Sequence, residues 1–73
     1  MNIQEQMKLD MTKNLALLLM ENNLGMTMEQ AISVVINSET YQRLQNDAAH
    51  LYYQSPRYVY DFLDKELKLG KVV

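Results

Sequence analysis

The chain has 73 residues, no cysteine, one histidine and a formal net charge of −2. This length predicts a single small domain, the lack of cysteine excludes disulfides and thiolate metal sites, and one imidazole argues against structural zinc. The seven Lys and Arg residues are scattered along an acidic chain, which argues against the basic footprint that nucleic-acid binding requires.

The sequence shows neither a membrane span nor a secretory signal. The longest apolar run, Leu15–Met20, is far shorter than the roughly 20 residues that span a bilayer. Glu5 and Asp10 stand where a secretory signal would carry a basic segment. We therefore expect a cytoplasmic protein with no membrane partner, which the absence of cysteine also fits.

A first helix is predicted over 3–24. Its apolar stripe consists of residues at helical spacing, namely Ile3, Met7, Met11, Leu15 and Leu18. The part from Leu15 to Met20 is apolar on all sides, which indicates a segment that is central or faces a partner. Gly25 suits the left-handed position that follows a helix end.

A second helix is predicted over 28–37, because Thr27 and Gln30 form a capping-box pattern at its start. Its apolar face consists of Met28, Ala31, Ile32 and Val35. The β-branched run Val34–Ile36 would also suit a strand, but the chain offers no second strand to pair with it.

A third helix is predicted over 39–53, with Ser38 as the N-cap. Its apolar positions recur every three or four residues, at Tyr41, Leu44, Ala48, Leu51 and Tyr52. A break near Asn46–Asp47 is the alternative to a continuous helix. The helix must end before Ser55, because the residue before a proline avoids the α region.

The fourth helix, over 56–69, is the most clearly delimited. Ser55 is its N-cap, Pro56 occupies its first position and Gly70 ends it. The i,i+4 spacing also predicts two ion pairs, Asp61–Lys65 and Asp64–Lys68.

The apolar arc of this fourth helix is about twice the ~100° that covers a core from one side. A core stripe is predicted at Val59, Leu63 and Leu67, with Tyr60 beside it. A second stripe consists of Tyr58, Phe62 and Leu69, and Glu66 alone interrupts the arc between the two. Either the helix is central in a small bundle, or the second stripe faces another chain. The predicted partner surface extends to the apolar end of the first helix, at Leu17, Leu19 and Met20.

Chemistry-bearing residues do not converge in the sequence. Asp47 lies one helical turn before His50, and the two are the only candidate acid–base pair, so an enzyme is the weakest hypothesis. Asp61, Asp64 and Glu66 are interpreted as the solvated face of a helix. We predict no catalytic residue, metal site, cofactor or small-molecule ligand.

A helix-turn-helix over 27–45 is the alternative to a protein-binding bundle. Ala31, Ile36 and Leu44 fall near its usual apolar positions, although Val35 occupies the turn position that glycine usually holds. Its second helix offers a single cation, Arg43, so DNA binding would need a dimer that gathers copies of Arg43 and Lys13 on one surface.

The C-terminal half carries a recognisable pattern. It runs Leu51-Tyr52, Ser55-Pro56, Tyr58-Val59-Tyr60, Glu66-Leu67 and Gly70-Lys71, and is preceded by Ser38-Glu39-Thr40-Tyr41 and Leu44-Gln45. This pattern resembles a group of small uncharacterised bacterial proteins without assigned activity, some encoded beside genes that resemble toxin–antitoxin pairs. The resemblance implies a binding or regulatory role and supplies no catalytic residues.

Together these observations predict an all-α bundle of three or four helices in a single domain spanning 1–73. The expected function is non-enzymatic contact with another protein, either a second copy in a homodimer or a different chain. An antitoxin-like regulator that binds DNA or a partner toxin is the alternative.

Overall fold

The computed structural model describes residues 2–46 and 50–70, and within them the protein is helical with no β-strand. The elements in chain order are α1 (Ile3–Asn22), α2 (Met28–Ile36), α3 (Glu39–Gln45), a 3₁₀ turn (Leu51–Tyr53) and α4 (Pro56–Leu69). This architecture confirms the predicted small all-α bundle.

Local sequence signals explain where the helices begin. The Thr27 hydroxyl accepts from the Gln30 backbone N–H at 3.1 Å, and the Gln30 side chain accepts from the Thr27 N–H at 2.9 Å, so the predicted capping box is confirmed. Ser38 and Ser55 cap α3 and α4 in the predicted way, with distances of 3.0 Å and 3.1 Å to backbone N–H groups three residues later.

The core lies where one stripe of α1 meets the inner faces of α2, α3 and α4. Its fully or nearly buried apolar residues are Met11, Leu15, Ala16, Leu19, Ala31, Val35, Leu44, Tyr52, Val59, Tyr60 and Leu63. Thr12 is buried beside them, and its hydroxyl donates to the Lys8 carbonyl at 2.8 Å, which satisfies it within the helix.

The first helix ends two residues earlier than predicted. The side-chain amides of Asn22 and Asn23 donate to the carbonyls of Leu18 and Leu19, at 2.9 Å and 2.8 Å, and so satisfy acceptors of the last turn. Gly25 then adopts a φ of 95°, which is the left-handed conformation expected of it, within the turn to α2.

The prediction of a continuous third helix over 39–53 is wrong beyond Gln45, and the alternative of a break near Asn46 is confirmed. Asn46 is extended, with a ψ of 109°, and His50 has a φ of 50°, so neither backbone can continue an α-helix. The chain instead forms a separate 3₁₀ turn before α4. Ala48, which the predicted spacing included, lies outside the described residues.

Three side chains of the apolar stripes that were predicted to face the core are exposed, and one of them is Met28 of α2, at 36%. Leu67 is 49% exposed and does not belong to the core stripe, whereas Tyr60 replaces it at 5% exposure. Ile3, at the start of α1, is 77% exposed. Within the described residues, none of the helices combines the length and apolar character needed to cross a membrane.

Candidate interaction surface

One side of α4 carries an apolar cluster that the rest of the bundle leaves uncovered. The rings of Tyr58 and Phe62 meet edge to face, with centroids 5.4 Å apart and planes at 85°. Tyr58 is 50% exposed, Leu69 is 61% exposed and Phe62 is half-buried. Because residues four and seven apart share one side of a helix, these three residues lie on the same side of α4, here called the aromatic face.

Glu66 lies on the flank of α4 between the aromatic face and the core, and it points to α3. Its carboxylate accepts from the backbone N–H groups of Glu39 and Thr40, at 2.8 Å and 2.9 Å, and from the Thr40 hydroxyl at 2.8 Å. These donors belong to the first turn of α3, where backbone N–H groups have no partner within the helix. The interpretation of Glu66 as a solvated residue is therefore wrong.

Partial burial of Glu66 favours the neutral acid, but the hydrogen bonds from Glu39 and Thr40 and the positive charge of Arg43 outweigh it. The pKa of Glu66 is therefore lowered below its ordinary value. The sequence did hold a signal for this contact, since a single carboxylate inside an otherwise apolar arc must either face water or meet polar groups of another element.

Two explanations were offered for the wide apolar arc of α4, namely a central position in the bundle and contact of its second stripe with another chain. The packing of α4 bears on both. The helix contributes Val59, Tyr60 and Leu63 to the core, and it contacts both α1 and α3, the latter also through Glu66. Neither contact covers Tyr58 or Leu69. The aromatic face is thus surplus to the core, as a partner surface requires.

The three residues of α1 that were predicted to extend this surface differ in their exposure. Leu17 is 41% exposed and lines a groove of about 370 Å³ with Leu18, Pro56 and Arg57. Met20 is half-buried against the core. Leu19 is 2% exposed and belongs to the core, because it lies on the same side of α1 as Leu15.

The groove beside Leu17 and the aromatic face lie on different sides of α4. Successive helical residues are separated by about 100°, so Tyr58 lies about 100° beyond Arg57 and 200° beyond Pro56. The structure therefore does not bring Leu17 or Met20 into one surface with the aromatic face. We restrict the candidate site to Tyr58, Phe62 and Leu69.

His50 stands among aromatic rings rather than beside a described carboxylate. Its ring centroid lies 6.1 Å from that of Tyr52 and 6.0 Å from that of Tyr53. Asp47, the proposed acid–base partner, lies outside the described residues. In the part of the chain that the structure covers, no three His, Asp or Glu side chains are grouped so that they could hold a metal ion.

The α2–α3 pair has the order of a helix-turn-helix, with Asn37 and Ser38 between the helices. Ala31 and Leu44 are fully buried as that motif requires, but Ile36 is 46% exposed, contrary to its predicted core position. The outer surface of α3 mixes Glu39 with Arg43, so it is not a basic surface.

Comparison of this chain with protein-family models, with curated proteins and with solved structures finds no match.

Proposed function

We propose that this protein is a non-enzymatic helical module that works by contact with another protein chain, and that the aromatic face on α4 is the contact surface. The observation that carries the proposal is the Tyr58–Phe62 ring pair, in which Tyr58 is exposed and Phe62 half-buried, with the exposed Leu69 on the same side of α4. Aromatic residues are enriched in the centres of protein interfaces, because they bury a large area at a small cost in side-chain entropy.

We further propose that the usual partner is a second copy of the chain. A domain of 73 residues without cysteine has a small core and no disulfide to supplement it. Self-association is one of the remaining means by which such a chain gains stability. We also propose that the protein is cytoplasmic and that it is related to the small bacterial proteins whose C-terminal pattern it resembles.

The test compares substitutions at two residues that are equally exposed but lie on opposite sides of α4. Tyr58 is 50% exposed and Leu67 is 49% exposed, and nine helical residues place them about 180° apart. We expect sedimentation equilibrium to show a dimer for the natural chain, at least about ten-fold weaker association for Tyr58→Lys, and unchanged association for Leu67→Lys. A natural chain that stays monomeric at millimolar concentration, or equal losses in both variants, contradicts the proposal.

A regulator that binds DNA is the second candidate, because α2 and α3 follow one another after a two-residue turn and Arg43 is exposed on α3. Titration with duplex DNA at low and moderate salt tests it. Binding that weakens steeply with salt would favour the regulator, since phosphate contacts release counterions. No binding at low salt rejects it.

A further inference from the structure

We propose that two copies of this chain pair through α4 in antiparallel orientation, about a two-fold axis that crosses the aromatic faces at a height along the helix midway between Leu63 and Asp64. This inference rests on the proposed function, and it adds the register and the charge pairs that would select it. A second copy is the occupant because the aromatic face and its charged edge are complementary to themselves when reversed.

The apolar residues of the aromatic face match under this reversal. Tyr58 and Leu69 stand at its two ends, and Phe62 lies near its middle. An antiparallel partner centred between Leu63 and Asp64 brings Tyr58 opposite the partner's Leu69. It also brings Phe62 beside the partner's Phe62, because a helix rises about 1.5 Å per residue and the two rings lie on the same flank.

The charges along one edge of the face match in the same register. Asp61 and Lys65 are both exposed and lie one helical turn apart on the edge remote from α3. Reversal of the helix places Asp61 against the partner's Lys65 and Lys65 against the partner's Asp61. A parallel two-fold pairing would instead set this edge against the opposite edge of the partner's face, so Asp61 and Lys65 would not meet each other.

The carboxylate on the opposite edge of the face is already bound within the chain. Glu66 lies there, and its carboxylate already accepts three hydrogen bonds from α3. A partner that captured Glu66 would have to replace those bonds. The edge that carries Asp61 and Lys65 therefore decides the orientation of the partner.

The predicted contact is small. A helix of 14 residues is about 21 Å long, so a single helix pair buries less than the roughly 800 Å² per partner of a standard interface. We therefore expect a dissociation constant in the micromolar range or weaker, and a marked effect of salt on the charge pairs.

The test reverses the charge at Asp61 and at Lys65. The two single variants, their equimolar mixture and the double variant are compared by sedimentation velocity at low ionic strength. Asp61→Lys alone and Lys65→Asp alone each turn both intermolecular attractions into repulsions. We expect each variant alone to associate about ten-fold more weakly than the natural chain. An equimolar mixture of the two should form a heterodimer, and the double variant D61K/K65D should again form a homodimer.

The outcomes separate this inference from the function on which it rests. A natural chain that is monomeric overturns both. A natural dimer that Tyr58→Lys weakens, but in which the mixed variants and the double variant do not recover association, overturns the antiparallel register and leaves the aromatic face as the interface. Thermal unfolding of each variant, followed by circular dichroism, verifies that the monomers compared are folded. Recovery in both the mixture and the double variant supports the register.

Discussion

Glu66 joins two helices that are far apart in sequence. It lies 26 residues after Thr40, yet its carboxylate binds the first turn of α3 through two backbone N–H groups and one hydroxyl. A negative charge at this end of a helix is also favoured by the helix dipole. One side chain of α4 therefore supplies part of the N-terminal cap of α3.

The Glu66 contact predicts a specific acid sensitivity. Because the pKa of Glu66 is lowered in the folded chain, its contribution to stability is present above its ordinary value of 4.5 and is lost as pH falls through the folded-state value. Glu66→Gln should cost about 1–3 kcal/mol in the free energy of unfolding near neutral pH, since hydrogen bonds to a charged group are stronger than neutral ones.

Urea unfolding measured from neutral pH down to acid pH checks this prediction. The stability difference between the natural chain and Glu66→Gln should shrink as the carboxylate becomes protonated. Glu21→Gln, which changes an exposed carboxylate on α1, is the control and should have little effect. A constant difference across the pH range would show that the charge of Glu66 is not the cause.

Two leucines one turn apart on α4 provide a test of the core boundary. Leu63 is fully buried and Leu67 is 49% exposed, although the spacing predicted both as core residues. Leu63→Ala should lose about 2–5 kcal/mol, which approaches the whole stability of a domain this small. Leu67→Ala should lose less than about 1 kcal/mol. Denaturant unfolding of both variants measures the difference, and equal losses would place Leu67 in the core.

Among the elements, α3 depends most on its surroundings. It has seven residues, and a helix shorter than roughly 12–15 residues is marginal in isolation. Its first turn is held by Ser38 from within the chain and by Glu66 from α4, and Leu44 anchors it in the core. The chain leaves the helix immediately after that anchor, at Asn46.

Removal of the Ser38 cap should increase local unfolding of α3 more than that of the other helices. The Ser38 hydroxyl accepts from the Tyr41 N–H at 3.0 Å and donates to the Val35 carbonyl at 2.6 Å. Ser38→Ala should cost about 0.5–2 kcal/mol, so amide hydrogen exchange of residues 43–45 should become several-fold faster. Ser33→Ala, at an exposed position of α2, should leave that exchange unchanged. Uniform acceleration over all helices would instead indicate a single cooperative unit.

At the scale of the whole molecule, the fold is a small bundle with one uncovered apolar face. Its principal extents are 34 × 26 × 19 Å, and among the described residues eleven apolar side chains are fully or nearly buried in the core. A core of this size leaves only about 3–5 kcal/mol of net stability in a typical domain. The free energy gained by burying the aromatic face in a dimer would therefore be a large fraction of this net stability.

Self-association predicts that thermal stability depends on protein concentration. If only the folded chain dimerises, a ten-fold increase in concentration above the dissociation constant should raise the Tm by a few degrees. Tyr58→Lys should remove this dependence, whereas Leu67→Lys should retain it. Calorimetry at several concentrations measures the effect, and a Tm that does not change with concentration in the natural chain would exclude a dimer of this kind.

The sequence by itself determined the helical class and most helix boundaries. Caps such as Thr27 with Gln30, Ser55 with Pro56, and Gly70 act within a few residues, so their effect is visible in the chain. The 3.6-residue period likewise predicted Leu15, Val59 and Leu63 in the core.

Only the tertiary structure decided the roles of the residues that bridge elements. The sequence predicted a solvated Glu66, but in the fold its carboxylate binds α3. Leu19 was predicted on the partner surface and is buried, whereas Leu67 was predicted in the core and is exposed. The sequence left open whether the third helix breaks near Asn46, and the structure ends α3 there. The physical reason is common to all of these residues: burial depends on which surfaces meet, and periodicity gives the faces of a helix but not their neighbours.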